Sequence, residues 1–144
     1  MLNIAGEKIT EDTIQYAVNR ITEKTGLRVV EWSVYADLSS VPARYILFIE
    51  TDGPVNTEQV PALRDILDDS LAEKNWIYAH FLEDGQLSPL QLEILEPQTY
   101  QLYRDLQVFN GANRNQLKPV HIIDNPRKEE FFFGLRDKLL QENR

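Results

Sequence analysis

A chain of 144 residues, with 42% hydrophobic and 26% charged side chains, has the length and composition of one globular domain with its own core. Its sequence contains no cysteine, which excludes disulfides and thiol chemistry, and no apolar run of about 18 residues, so no membrane span is expected. The net charge of −8 makes nucleic acid a poor partner, because an acidic surface repels phosphate backbones.

The first half of the chain predicts one helix and two strands. Thr10 is a suitable N-cap, and apolar residues recur at helical spacing from there to Gly26, so we expect a helix at 11–25. Segments 27–38 and 44–51 are rich in β-branched and aromatic residues and predict strands, antiparallel because their connection is short. We expect the first strand to have one mostly buried face. The near-continuous apolar run of the second indicates a central position in the sheet.

The second half predicts four helices and two further strands. The expected helices are 58–73, 75–84, 97–109 and a terminal one opened by Asn125 and Pro126, and the expected strands are 90–96 and 119–124. This order predicts a single α+β domain over residues 1–144. Its small, mostly antiparallel sheet of about four strands has helices packed on it.

The residue types needed for catalysis do not form a complete set in this sequence. His80 and His121 have no cysteine or second histidine at metal-ligand spacing, so we expect both to be structural and predict no metal site. Segment 5–8, "AGEK", lacks the spacing of a phosphate-binding loop, and no histidine is placed near Ser39 by sequence to form a serine triad. The chain is therefore not expected to catalyse a reaction alone.

One polar loop, "NGANRNQLK" at 110–118, stands out against this background. Its glycine permits a tight helix exit and a close approach of the backbone to a ligand. The side chains that could supply charge and hydrogen bonds there are Asn113, Arg114, Asn115 and Lys118. The loop is either an ordinary surface loop or a ligand-facing one, and from the residues alone both interpretations stay open.

Three segments taken together carry a likeness to a known family. "LNIAGEKITEDTIQYAV" places a glycine-containing turn before the first helix, and "EWSVYADLSSVPARYILFIE" is a hairpin with Tyr-Ala-Asp and a proline before its second strand. "LSPLQLEILEPQTYQLYRD" leads to "NGANRNQLKPVHII", a strand, a helix and a loop that ends in lysine. In this order the chain resembles the C-terminal domain of the auxin-responsive acyl acid–amido synthetases, the Gretchen Hagen family of the adenylate-forming superfamily.

The resemblance implies the function of a mobile C-terminal lid. Such enzymes activate a carboxylic acid with ATP and Mg to an acyl-adenylate, and then pass the acyl group to the amine of an amino acid. The implied partners are an N-terminal adenylating domain of the same protein and the two substrates, whereas nucleic acid and membranes are not expected. The first residues lack the features of a signal peptide, which with the missing cysteine predicts a cytoplasmic protein.

The resemblance also assigns residues. Lys118 matches by position the lysine that enters the active site for adenylation, where a cation meets the charge growing on the phosphates. Gly6, Glu7 and Lys8 match the turn that faces the active site in the other orientation, and 113–115 belong to the substrate- or nucleotide-facing loop. Tyr35, Asp37 and Ser39 in the hairpin are either functional or structural. The alternative is a stand-alone α+β interaction or small-ligand-binding module, in which 110–118 is an ordinary surface loop.

Overall fold

The computed structural model describes residues 2–113 and 120–137. Within these ranges the chain forms three strands, five α-helices and one short 3₁₀ turn, in an α+β arrangement as predicted. The strands are β1 Val29–Asp37, β2 Arg44–Thr51 and β3 Gln91–Ile94. The helices are α1 Glu11–Thr25, α2 Val60–Lys74, α3 Trp76–Glu83, α4 Thr99–Phe109 and α5 Pro126–Gly134, and the 3₁₀ turn is Thr57–Gln59. None of the described helices is long and apolar enough to cross a membrane.

The predicted bounds of α1 are confirmed, because its ends are set by local hydrogen bonds. The Thr10 hydroxyl accepts from the Thr13 amide at 3.2 Å, and Gly26 closes the helix with φ 78°, a left-handed conformation that glycine adopts without strain. Asn125 caps α5 in the same way, as predicted, and Asn75 caps α3.

The sheet has the order β1-β2-β3, with β1 and β2 antiparallel and β2 and β3 parallel. The parallel pair arises because α2 and α3 form the connection from β2 to β3, and a crossover returns the chain in the same direction. Of the segment predicted as a fourth strand, 119–124, the described residues 120–124 make a single parallel bridge, from Ile122 to Val34 on the outer edge of β1. On the opposite edge, Arg136 forms an antiparallel bridge with Leu95, beyond the end of β3.

Helices cover both faces of the sheet, which accounts for the apolar run in β2. Its residues Tyr45, Leu47 and Ile49 belong to a core with α1, α2 and α3. Ile46 and Phe48 point to the other face and belong to a second core with α4 and α5. The prediction of one mostly buried face for β1 was incomplete, since Ser33 on its second face is also buried, beneath Tyr100 of α4.

Candidate functional site

The turn at residues 6–8 is held by a buried glutamate. Glu7 is 1% exposed, and its carboxylate accepts hydrogen bonds from the amides of Ile4 at 2.6 Å and Ala5 at 2.8 Å and from the Tyr45 hydroxyl. Its carbonyl oxygen accepts from Nδ2 of Asn75 at 2.6 Å. The predicted site residue Glu7 therefore points inward and ties the turn to β2 and to the start of α3.

The neighbours of Glu7 face the other way. Gly6 and Lys8 are exposed and have positive φ angles of 114° and 50°, which the hydrogen-bonded carboxylate between them maintains. Leu2 and Ile9 close the turn with two backbone hydrogen bonds of 2.7 Å. The turn thus presents the ammonium group of Lys8 to solvent on a rigid base, whereas the Gly6 amide donates to Oδ1 of Asn3 at 2.6 Å.

The charge state of Glu7 follows from these contacts. Burial raises the pKa of Glu7, but the hydrogen bonds from Tyr45 and from the amides of Ile4 and Ala5 outweigh it, so its pKa lies below the ordinary value. The pKa of Tyr45 is raised, first by burial and then by its bond to the Glu7 carboxylate. The pair is therefore a charged acceptor with a neutral donor at neutral pH.

We expect Tyr45→Phe to lower the free energy of unfolding by about 1.5–3 kcal/mol at neutral pH, because it removes a hydrogen bond to a buried charged group. The pKa of Glu7 is lower in the folded protein than in the unfolded chain. The ionised carboxylate therefore contributes to the free energy of unfolding above about pH 4.3, the ordinary glutamate pKa, and this contribution is lost as the pH falls through the pKa of the folded protein. The difference between the two proteins should shrink over that acidic range. Urea unfolding at several pH values measures it.

Tyr16→Phe is the matched control for this experiment. Its hydroxyl also donates to a carboxylate, Glu73, at 3.0 Å, but the pair is exposed and should contribute little. Equal losses of stability in the two variants would contradict the structural role given to Glu7.

The polar loop begins as the sequence predicts. The amides of Gly111 and Ala112 donate to carbonyl groups of the last turn of α4, and Gly111 has a φ of 101°. Asn113 is exposed and is the last described residue before the gap. Arg114, Asn115 and Lys118, three of the predicted site residues, lie outside the described residues, so their roles stay predictions.

Beyond the gap, His121, which the sequence indicated only as structural, contacts both α1 and β1. Nδ1 of His121 lies 3.1 Å from Oε2 of Glu11, and Nε2 lies 2.9 Å from Oε1 of Glu31. The ring stacks on Trp32 with centroids 3.8 Å apart and an interplanar angle of 8°. The ring of His121 therefore joins β1 to the first turn of α1.

In the hairpin, the contacts of Asp37 and Tyr35 favour structural roles. Asp37 is 6% exposed and accepts from the Ser39 hydroxyl at 2.6 Å and from Nε of Arg44 at 3.2 Å. The Ser39 hydroxyl is the main reason that the pKa of Asp37 is lowered. A hydrogen bond to Glu129 of α5 raises the pKa of Tyr35 to about 12. These side chains close the hairpin loop and join β1 to α5.

The described residues offer no ready metal site. Across 2–113 and 120–137, no three histidine, aspartate or glutamate side chains converge as metal ligands would. His80 of α3 pairs with Asp84, the residue that follows the helix, at 3.4 Å.

Comparison with known proteins gives one consistent result. A family model described as the GH3 family C-terminal domain matches residues 12–127. The chain is 32% identical over 128 residues to indole-3-acetic acid-amido synthetase GH3.5 of Arabidopsis thaliana, covering 85% of this chain and 21% of that protein. It is 24% identical over 135 residues to 4-substituted benzoates-glutamate ligase GH3.12 of the same plant, covering 85% of this chain and 24% of that protein.

The fold comparison agrees. A solved structure of GH3.15 acyl acid amido synthetase matches with a TM-score of 0.81 and 18% identity over 94% of this chain and 26% of that chain. The chain thus spans about a quarter of the length of the relatives that it matches.

Proposed function

Because the chain belongs to the GH3 family, as its C-terminal domain, we propose that it acts as the lid of an ATP-dependent acyl acid–amido synthetase. The enzyme would activate a carboxylic acid as an acyl-adenylate and conjugate it to an amino acid. The observation that carries the proposal is the family match over residues 12–127, in a chain that spans a quarter of its relatives. An N-terminal adenylating domain is the partner that the proposal requires, and a cytoplasmic location stays a prediction from the sequence.

Lys118 is the proposed catalytic residue of the first half-reaction. As the carboxylate attacks, negative charge grows on the α-phosphate and on the leaving pyrophosphate, and a lysine ammonium can follow that charge on its flexible stem. The lysine has to leave before the amine enters, which a reorienting lid achieves. The anchoring of Val120 and His121 against β1 supports this role, since it gives the loop a firm base.

The turn of Gly6, Glu7 and Lys8 is proposed to face the active site in the second orientation. The buried carboxylate of Glu7 would hold in place the turn that carries the exposed ammonium group of Lys8. Asn113, Arg114 and Asn115 are proposed to contact nucleotide or substrate beside Lys118, through amide hydrogen bonds and a guanidinium.

ATP is a substrate of this reaction, and bound Mg would neutralise part of its phosphate charge. The part of the chain that the structure describes has no cluster of carboxylates fit to hold that ion. We therefore propose that the ligands of Mg lie in the N-terminal domain. This chain would supply cationic side chains and amide donors that contact the nucleotide or the substrate.

The isolated chain is expected to be folded but inactive. Mixed with ATP, Mg, a panel of carboxylic acids and amino acids, it should release no pyrophosphate above background, because its sequence has no phosphate-binding loop and the acyl-acid site is proposed to lie in the N-terminal domain. A cooperative thermal transition shows that the chain is folded. Joining the chain to a GH3 N-terminal domain, either in the full-length enzyme or in a chimera, should restore pyrophosphate release. Turnover by the isolated chain would contradict the proposal.

The alternative is a stand-alone module that binds a small ligand without catalysis. One observation favours it: an open groove between α2 and the start of β3, with Arg44 and Arg64 beside the apolar residues Val60, Leu90 and Leu92. The pyrophosphate-release experiment also distinguishes the two proposed functions, because a stand-alone module would give no adenylation in any combination with an N-terminal domain.

A further inference from the structure

We propose that the open groove between α2 and the start of β3 is a binding site for a small carboxylate with an apolar body. The groove has a volume of about 540 Å³, which is within the range of small-molecule sites. This proposal goes beyond the function given above, because it assigns a ligand to the chain itself. Its test does not use adenylation, so either proposal can fail alone.

The charge of the groove calls for an anion. Among its lining residues that the structure describes are two arginines and no acid, in a chain whose net charge is −8. Arg64 of α2 is exposed and forms no hydrogen bond or ion pair with the described residues. Arg44 of β2 donates from Nε to Asp37 at 3.2 Å, which offsets its charge but leaves its Nη groups available. The charge of Arg64 is thus left uncompensated, and a monocarboxylate matches it.

The backbone of the groove favours a carboxylate over a phosphate. Phosphate sites are commonly built from several backbone amides that point at the ligand. Pro61 and Pro89 in the lining have no N–H group, and the Leu90 amide already donates to the Asp68 carboxylate at 3.2 Å. The guanidinium groups remain as donors, and their paired N–H groups fit the two oxygens of a carboxylate.

The apolar body of the ligand would lie against Val60, Pro61 and Pro89. Val60 is half-buried and both prolines are exposed, whereas Leu90 and Leu92, which also line the groove, are buried. Contact with proline costs no side-chain conformational entropy, because the ring is already fixed. Covering this surface removes apolar area from water and adds to the affinity that the charge provides.

Hydrogen bonds hold the two walls of the groove in place. The Asp68 carboxylate of α2 accepts from the Leu90 amide at 3.2 Å and from the Tyr78 hydroxyl at 2.7 Å, which fixes α2 relative to the start of β3. The Ser88 amide donates to the Ala43 carbonyl at 2.9 Å, which joins the segment before β3 to the start of β2. A preformed site loses less free energy to ordering when the ligand binds.

Titration of the chain with hexanoate, followed by the NMR shifts of its backbone amides, tests the proposal. We expect saturable shifts that are largest at Arg64, Leu90 and Gln91. Hexanamide has the same body without the charge, and acetate has the same charge on a shorter body. Each should bind at least about 10-fold more weakly than hexanoate. Inorganic phosphate should also bind more weakly than hexanoate.

Arg64→Gln is the deciding variant, because Arg64 is exposed and its loss leaves no described group without a partner. The affinity for hexanoate should fall about 10-fold to 100-fold, as expected when a hydrogen bond to a charged group is lost. Arg104→Gln is the matched control. Arg104 is exposed on α4, where it donates to Gln101 at 3.2 Å, and its loss should leave hexanoate binding unchanged. Both variants should keep the thermal transition of the parent chain.

Other outcomes would overturn the proposal. Equal binding of hexanamide and hexanoate would show that the charge is not recognised, and equal binding of phosphate would show a general anion site. Equal losses in Arg64→Gln and Arg104→Gln, or the absence of saturable shifts in the groove, would exclude a specific site. If hexanoate binding is lost once the chain is joined to a GH3 N-terminal domain, a segment of that domain fills the groove instead. Pyrophosphate release, which tests the proposed function, is measured separately.

Discussion

Replacing Lys118 with alanine is expected to slow acyl-adenylate formation about 10²–10³-fold and to leave amide formation nearly unchanged. The loss has this size because a preorganised charge contact aimed at a developing negative charge typically contributes that much to a rate. The second half-reaction is spared, since in the proposed cycle the lid has turned the lysine away by the time the amine attacks. Pyrophosphate exchange measures the first step, and single-turnover product formation from supplied acyl-adenylate measures the second.

Two companion variants make this experiment specific. Lys24→Ala removes the same kind of charge from the exposed last turn of α1 and should leave both steps unchanged. Lys118→Arg keeps the charge on a planar, differently shaped group and should recover part of the rate. Equal losses in both steps for Lys118→Ala would show a role in binding or folding, and no loss in either would leave 110–118 an ordinary surface loop.

The largest effect on stability is expected from Phe132→Ala. Phe132 of α5 is fully buried, and its ring lies 6.0 Å from Phe48 of β2, 5.5 Å from Tyr100 and 5.6 Å from Tyr103, centroid to centroid. Truncation removes the ring and leaves a cavity between α4, α5 and the sheet, at a typical cost of about 3–5 kcal/mol. Since domains are typically stable by only about 5–15 kcal/mol, the variant should be marginal or unfolded at 37 °C.

Denaturant unfolding followed by circular dichroism measures this change. Phe109→Ala is the control, because Phe109 is 86% exposed at the end of α4 and its loss should change stability little. Phe132→Leu fills most of the space and should lose much less than the alanine variant. A loss below about 1 kcal/mol for Phe132→Ala would show that the second core does not depend on this ring.

Local signals in the sequence determined the secondary structure and the family. The capping residues Thr10, Gly26, Asn75 and Asn125 act on amides within about four residues, so the ends of their helices can be read without knowing the fold. The apolar run of β2 likewise predicted a central strand. The likeness in three segments, in chain order, identified the GH3 C-terminal domain, which the family match confirms.

Only the tertiary structure decided the parallel pairing of β2 and β3 and the orientation of Glu7. Antiparallel and parallel strands have similar sequences, and the choice between them depends on where the α2–α3 crossover packs. An acid beside a glycine in an exposed-looking turn gives no sign that its carboxylate turns inward. Its partner Tyr45 is 38 residues away in the chain.

The contacts of His121 could not be predicted from the sequence either. Its two carboxylate partners lie 110 and 90 residues away along the chain, and no periodicity or motif links residues at such separations. One sequence carries strong information about hydrogen bonds that close within a turn of helix. The contacts that join α1, β1 and the segment after the polar loop are formed only when the helices pack on the sheet, because packing alone brings these side chains within hydrogen-bond distance.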